Sequence, residues 1–182
     1  MTRQQPDALM SYTRFDDEQN GAALTTFCKK LSGEVRSHTG QPFYIFQDLE
    51  DIKWGQQFQQ HIDRALETIT FFIPILTPSF FNSKFCRYEL EKFLEREKHL
   101  GRNDLILPVY YIRVPALEET ALYMQDPLAQ IIINRQRMDW RELRFEPFDS
   151  PNVRRMLAEM AEQIAEALKG RVPLVSPPPV ST

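Results

Sequence analysis

One carboxylate in this chain sits where a solvated side chain should not. From Ser83 to Leu100 the sequence SKFCRYELEKFLEREKHL reads as a helix with Ser83 as its N-cap. At about 100° per residue, Phe85, Cys86, Leu90, Phe93 and Leu94 share one apolar face, and Glu89 falls inside that arc between Phe85 and Phe93. Arg87, Glu91, Glu95 and Lys98 fall on the opposite face, where solvation is expected. A carboxylate in a core-facing stripe is costly unless it is paired, neutralised or turned towards a cavity. Glu89 is therefore the first candidate for chemistry. A structural glutamate bonding a backbone N–H at the rim of the core would leave the same trace. Glu97 shares the arc two turns on, where fraying of the helix end accounts for it.

What is missing narrows the chemistry. There is no G-x-G-x-x-G and no G-x-x-x-x-G-K-[ST], so neither dinucleotide fingerprint nor P-loop is present. H-E-x-x-H, G-x-S-x-G and kinase signatures are absent too. The three histidines, His38, His61 and His99, lack metal-ligand spacing, so no metal site is expected. A net charge of −3 exerts no global pull on nucleic acid, and Tyr110-Tyr111 at a strand end reads as packing rather than a platform for bases. No apolar run approaches the roughly 20 residues that span a bilayer, and Met1 to Ala8 is too polar for a signal peptide. Cys28 and Cys86 both sit in helical stripes and read as small core residues, so a reducing cytoplasm is the expected compartment.

The elements that must position Glu89 can be read in order. Asp7 to Tyr12 is a short strand, and Thr13 to Asn20 a polar loop carrying Arg14, Phe15 and Asp16. A helix from about Ala22 to Ser37 places Leu24, Phe27, Cys28, Leu31 and Val35 at helical spacing. Phe43 to Gln47 is the second strand, Leu49 to Gly55 a loop, and Phe58, Ile62, Ala65, Leu66 and Ile69 mark a second helix. Phe71 to Leu76 is apolar without alternation, as in a strand covered on both faces, and Thr77-Pro78-Ser79 breaks it. Leu105 to Ile112 is a fourth strand, Pro115 to Gln136 a helical excursion, and Arg137 to Trp140 an edge strand. Ser150-Pro151 opens a last helix with Val153, Met156, Leu157, Met160, Ile164 and Leu168 in one stripe, ended by Gly170. Residues 1–170 make one domain, and 171–182, with Pro177-Pro178-Pro179, a Pro-rich tail or linker.

Strand and helix alternating in this way give an α/β fold with helices on both faces of a parallel sheet. The expected arrangement is flavodoxin-like, five strands in the order 2-1-3-4-5. Its topological switch lies between the first and third strands, and ligands bind beyond the strand C-termini there. Ser11, Tyr12 and Arg14 would line that crevice from one side, and the loop and helix after Leu76 from the other. Glu89 then lies at the crevice.

These residues resemble the bacterial Toll/interleukin-1 receptor (TIR) domains over roughly Asp7 to Leu168. Ser11-Tyr12-Thr13-Arg14 with Asp16 is similar to the family's opening box, and Phe46-Gln47-Asp48 followed by Glu50 to Gly55 (EDIKWG) to its second strand and BB loop. Phe72 to Ser79 resembles the third strand, and Ser83 to Leu90 (SKFCRYEL) the W-C-x-x-E-L segment, with Phe85 where many relatives carry tryptophan. The resemblance implies an NAD⁺ glycohydrolase whose catalytic residue corresponds to Glu89. It also implies activation by TIR–TIR self-association and a role as effector of a bacterial anti-phage defence system; the Pro-rich tail adds the expectation of a fused or associated sensor domain. NAD⁺ is then substrate, with no resident cofactor. Nucleic acid and membrane are not expected partners.

The reaction suits a lone carboxylate. Nicotinamide leaves a cationic ring as a neutral molecule, so its departure needs no general acid, unlike ordinary glycoside hydrolysis with its paired carboxylates. One carboxylate can hold ribose hydroxyls and stabilise the positive charge that develops on the sugar. Tyr12, Arg14, Trp54 and Phe85 are the expected substrate contacts: Arg14 for a phosphate, Trp54 over one end of the dinucleotide, Phe85 as an aromatic wall. The competing readings are a core tyrosine, a solvated arginine and a loop tryptophan used for self-association. For the whole chain the alternatives are a non-enzymatic TIR–TIR interaction module and a nucleoside-processing enzyme of similar sheet topology.

Overall fold

The computed structural model describes residues 6–47 and 56–170. Strands β1 (Ala8–Ser11), β2 (Ile45–Gln47), β3 (Phe71–Leu76), β4 (Val109–Tyr110) and β5 (Met138–Asp139) form one parallel sheet in the order β2-β1-β3-β4-β5. Helices α1 (Arg14–Gln19), α2 (Ala23–Thr39), α3 (Gln56–Thr68), α4 (Pro78–Asn82), α5 (Lys84–Leu100), α6 (Pro115–Glu118), α7 (Thr120–Tyr123), α8 (Pro127–Ile133) and α9 (Pro151–Lys169) connect and cover it. The flavodoxin-like order expected from the sequence is the order found.

The uninterrupted apolar run of β3 is explained by burial on both faces. Phe71, Ile73 and Ile75 join Leu24, Phe27, Leu31, Val153, Leu157, Met160 and Ile164 in a core under α2 and α9. That core closes with Phe27 edge-on to the buried Trp140, ring centroids 4.8 Å apart. Phe72 and Leu76 face the other way, with Leu9, Phe80, Cys86, Leu90 and Phe93 under α5. Phe72 stacks on Phe93 with ring centroids 4.4 Å apart, which fixes α5 against the centre of the sheet. Cys28 and Cys86 are both buried and free. Among the described residues no helix is long and apolar enough to cross a membrane.

Two expectations are corrected. Thr13 to Asn20 is not a loop throughout: α1 occupies most of it, with Thr13 as N-cap and Asp16 and Asp17 in its first turn. So short a polar helix has no apolar stripe to reveal it. Asp17 in turn caps α2, accepting from the N–H groups of Leu24 and Thr25 at 2.8 and 3.0 Å.

The fourth strand is shorter than Leu105 to Ile112 because proline interrupts its ladder. The Phe72 N–H donates to Leu105 and the Leu107 N–H to Phe72, so by strand alternation position 74 is next to donate towards β4. Pro74 has no N–H, and regular pairing resumes only at Ile75 with Val109. The excursion from Pro115 is helical as expected, in three short pieces, with prolines opening α6 and α8 and Asp126 capping α8.

Candidate active site

Ser11 ends β1 and Leu76 ends β3, the two strands between which the sheet order reverses. Side chains alternate along β1, so Ser11 shares the α5 side of the sheet with Leu9. There its hydroxyl donates to Oε2 of Glu89, and both residues are buried. Glu89 is on α5, which Ser83 starts by accepting from the Cys86 N–H at 3.3 Å. The acid picked out by its position in the apolar arc thus lies at the C-terminal end of β1, at the switch point.

A second buried carboxylate stands at the same strand ends. Asp16 Oδ2 accepts from the Thr13 hydroxyl at 2.8 Å and from the Thr77 hydroxyl at 2.6 Å. Thr77, fully buried, also caps α4 by accepting from the Phe80 N–H at 3.0 Å. Asp16 therefore ties the turn after β1 to the turn after β3. Sequence reasoning noted Asp16 in the opening segment but gave it no role. Its partners lie 3 and 61 positions away, and the longer link leaves no periodic signal.

The other site candidates fall in different places. Phe85 is half-buried one turn before Glu89 on α5. Tyr12 is half-buried and packs against the α2–α9 core. Arg14 is exposed at the first position of α1. Trp54, with the whole of the loop expected from Leu49 to Gly55, lies outside the described residues.

Two expectations about α5 itself are overturned. Glu97 is no frayed-end residue: it is buried, its Oε1 accepts from the Leu105 and Ile106 N–H groups at 2.9 Å each, and Arg135 donates to Oε2 at 2.6 Å. Gly101 caps α5 in the left-handed conformation only after this point, so the last turn is pinned to the sheet. Arg87 is not merely solvated. It donates to both oxygens of Asp126 at 2.8 Å and to the Phe81 carbonyl at 3.2 Å. A guanidinium fork matches a carboxylate in this way.

The Arg87 hydrogen bond holds the Asp126 carboxyl below the usual carboxylate range. A depressed native pKa contributes stability that is present above the unfolded value and lost as pH falls through the folded one. Asp126→Asn is therefore expected to cost about 1 kcal/mol at pH 7, water access keeping the figure low, and clearly less at about pH 2, below the ordinary carboxylate range. Urea unfolding of both proteins at the two pH values checks this; an equal deficit at both would refute the ion-pair account.

A cleft of about 800 Å³ opens elsewhere, lined by Asn103, Leu107, Pro108, Arg135 and Glu162 among others. Leu107 and Pro108 precede β4, so the cleft lies at the end where the strands begin. Ligands of open α/β sheets bind at the other end, and neither Ser11 nor Glu89 lines this cleft.

Comparison with known proteins identifies the family. The family model described as the TIR domain matches residues 11–157. A protein of Escherichia coli O6:H1 (strain CFT073), named NAD(+) hydrolase TcpC, is 28% identical over 86 residues, which is 47% of this chain and 28% of that protein. The chain thus spans under a third of the length of that relative. Among solved structures, the TIR domains of the activated Roq1 resistosome align over 90% of this chain and 99% of theirs, with a TM-score of 0.51 at 16% identity. The TIR domain of the Toll-related receptor TRR-2 from Hydra magnipapillata aligns over 84% of this chain and 98% of its own, with a TM-score of 0.47 at 19% identity. Strand order, switch-point site and a family match over most of the length lead to one conclusion: the chain belongs to the TIR domain family.

Proposed function

We propose that this chain cleaves NAD⁺ at the bond between nicotinamide and ribose, with Glu89 as the catalytic carboxylate. The observation that carries the reading is a buried glutamate at the C-terminal end of β1, where the sheet order reverses. The C1′–N bond breaks with its electron pair going to the pyridinium nitrogen, which makes nicotinamide neutral. The positive charge left on the ribose is stabilised by the Glu89 carboxylate. Water then adds at C1′ and releases a proton, giving ADP-ribose; attack by a nitrogen of the adenine instead gives a cyclic isomer. The name of the E. coli relative supports the same substrate.

Activity is set by self-assembly, and the protein serves as effector of a bacterial anti-phage defence system, a role that rests on family resemblance. Incubation with NAD⁺ over a wide range of protein concentration, with nicotinamide and particle size measured on the same samples, tests the reading. Nicotinamide release is expected to rise more steeply than in proportion to protein, and Trp54→Ala to weaken both assembly and turnover. Proportional activity from a monomer at every dilution would refute control by assembly. Clustering without nicotinamide at any concentration would make the chain an interaction module.

A further inference from the structure

We infer that Ser11 is a positioning residue for Glu89. The inference rests on the reading of Glu89 as the catalytic carboxylate and assigns the group that aims it. A glutamate side chain has three rotatable bonds between backbone and carboxylate, and a catalytic carboxylate held loosely loses much of its effect. Here α5 fixes the Cα of Glu89, and the Ser11 hydroxyl restrains Oε2 at the far end of the side chain.

Ser11 is suited to this by where it stands. It is the last residue of β1, its Cα pairs in register with Pro74 of β3, and it is buried. Two residues further on, Thr13 is tied through Asp16 to Thr77 just beyond β3. The strand ends on either side of the switch point are thus joined by side chains as well as by the ladder, and Ser11 has little room to shift. The order of dependence runs from Asp16 to the strand ends, from these to Ser11, and from Ser11 to Glu89. Ser11 itself acts through Glu89 and is assigned no contact with substrate.

The test compares Ser11→Ala, Ser11→Thr and Glu89→Gln with the wild-type chain, each at the protein concentration where wild-type release of nicotinamide is fastest. Ser11→Ala is expected to lower kcat about tenfold to a hundredfold with KM changed less than about twofold, because the carboxylate is needed most as charge develops. Ser11→Thr restores a hydroxyl on a side chain that strands favour, and is expected to recover most of the lost kcat. Wild-type kcat in Ser11→Ala beside an inactive Glu89→Gln would overturn the inference while leaving Glu89 catalytic. So would a fall in kcat that tracks the fraction unfolded and is not rescued by threonine in a folded protein. Full turnover in Glu89→Gln would instead remove the parent reading.

Discussion

The Glu89→Gln protein is expected to release nicotinamide at least about a hundredfold to a thousandfold more slowly than wild type, the usual effect of removing a group that stabilises transition-state charge. Its melting temperature should stay within a few degrees of wild type. Glutamine keeps the shape of the side chain and an oxygen that can accept from Ser11, so the buried face of α5 need not repack. The negative charge is removed and the second oxygen becomes an NH2 donor. NAD⁺ turnover and thermal unfolding measured on the same preparation decide the matter. Turnover preserved in a folded Glu89→Gln protein would end the assignment, and unfolding would recast Glu89 as a structural acid.

Glu97→Ala should give the opposite result. Two backbone N–H groups and the Arg135 guanidinium converge on this buried carboxylate. Its removal leaves all three with a lost acceptor, and breaking a buried pair from one side typically costs about 3–5 kcal/mol. The urea midpoint should fall accordingly, with kcat per folded molecule unchanged. An unaltered midpoint would show that water replaces the carboxylate without loss. The two substitutions lie eight residues apart on α5, and together they separate chemistry from architecture on a single helix.

That contrast also marks how far the sequence could be read. Periodicity placed both Glu89 and Glu97 in the apolar arc, and the structure buries both. It could not tell them apart, because the difference lies in their partners: a hydroxyl from residue 11 for one, backbone and arginine from residues 105, 106 and 135 for the other. The strand order was legible because alternating apolar runs and amphipathic helices admit few topologies. The length of β4 was not, since the missing donor belongs to Pro74 on the neighbouring strand. Arg87 was misread for a related reason. It lies on the polar face of α5, but the following chain brings Asp126 back over that face.

The closing turn of α9 also fixes how the molecule can be held. Arg102 donates to the carbonyls of Ala167 and Gly170 at 3.0 and 2.9 Å while its fork grips Asp104 at 2.7 and 2.6 Å. This clasp secures the end of α9 beside the loop that leads into β4, at the edge where the strands begin. The Ser11–Glu89 pair is at the end where they finish, and the six residues of β3 alone span roughly 20 Å between the two ends. A scaffold, surface or label joined at Gly170 would therefore grip the molecule from behind and leave the mouth of the crevice open. Copies could be crowded together by that handle without the handle itself shading the acid.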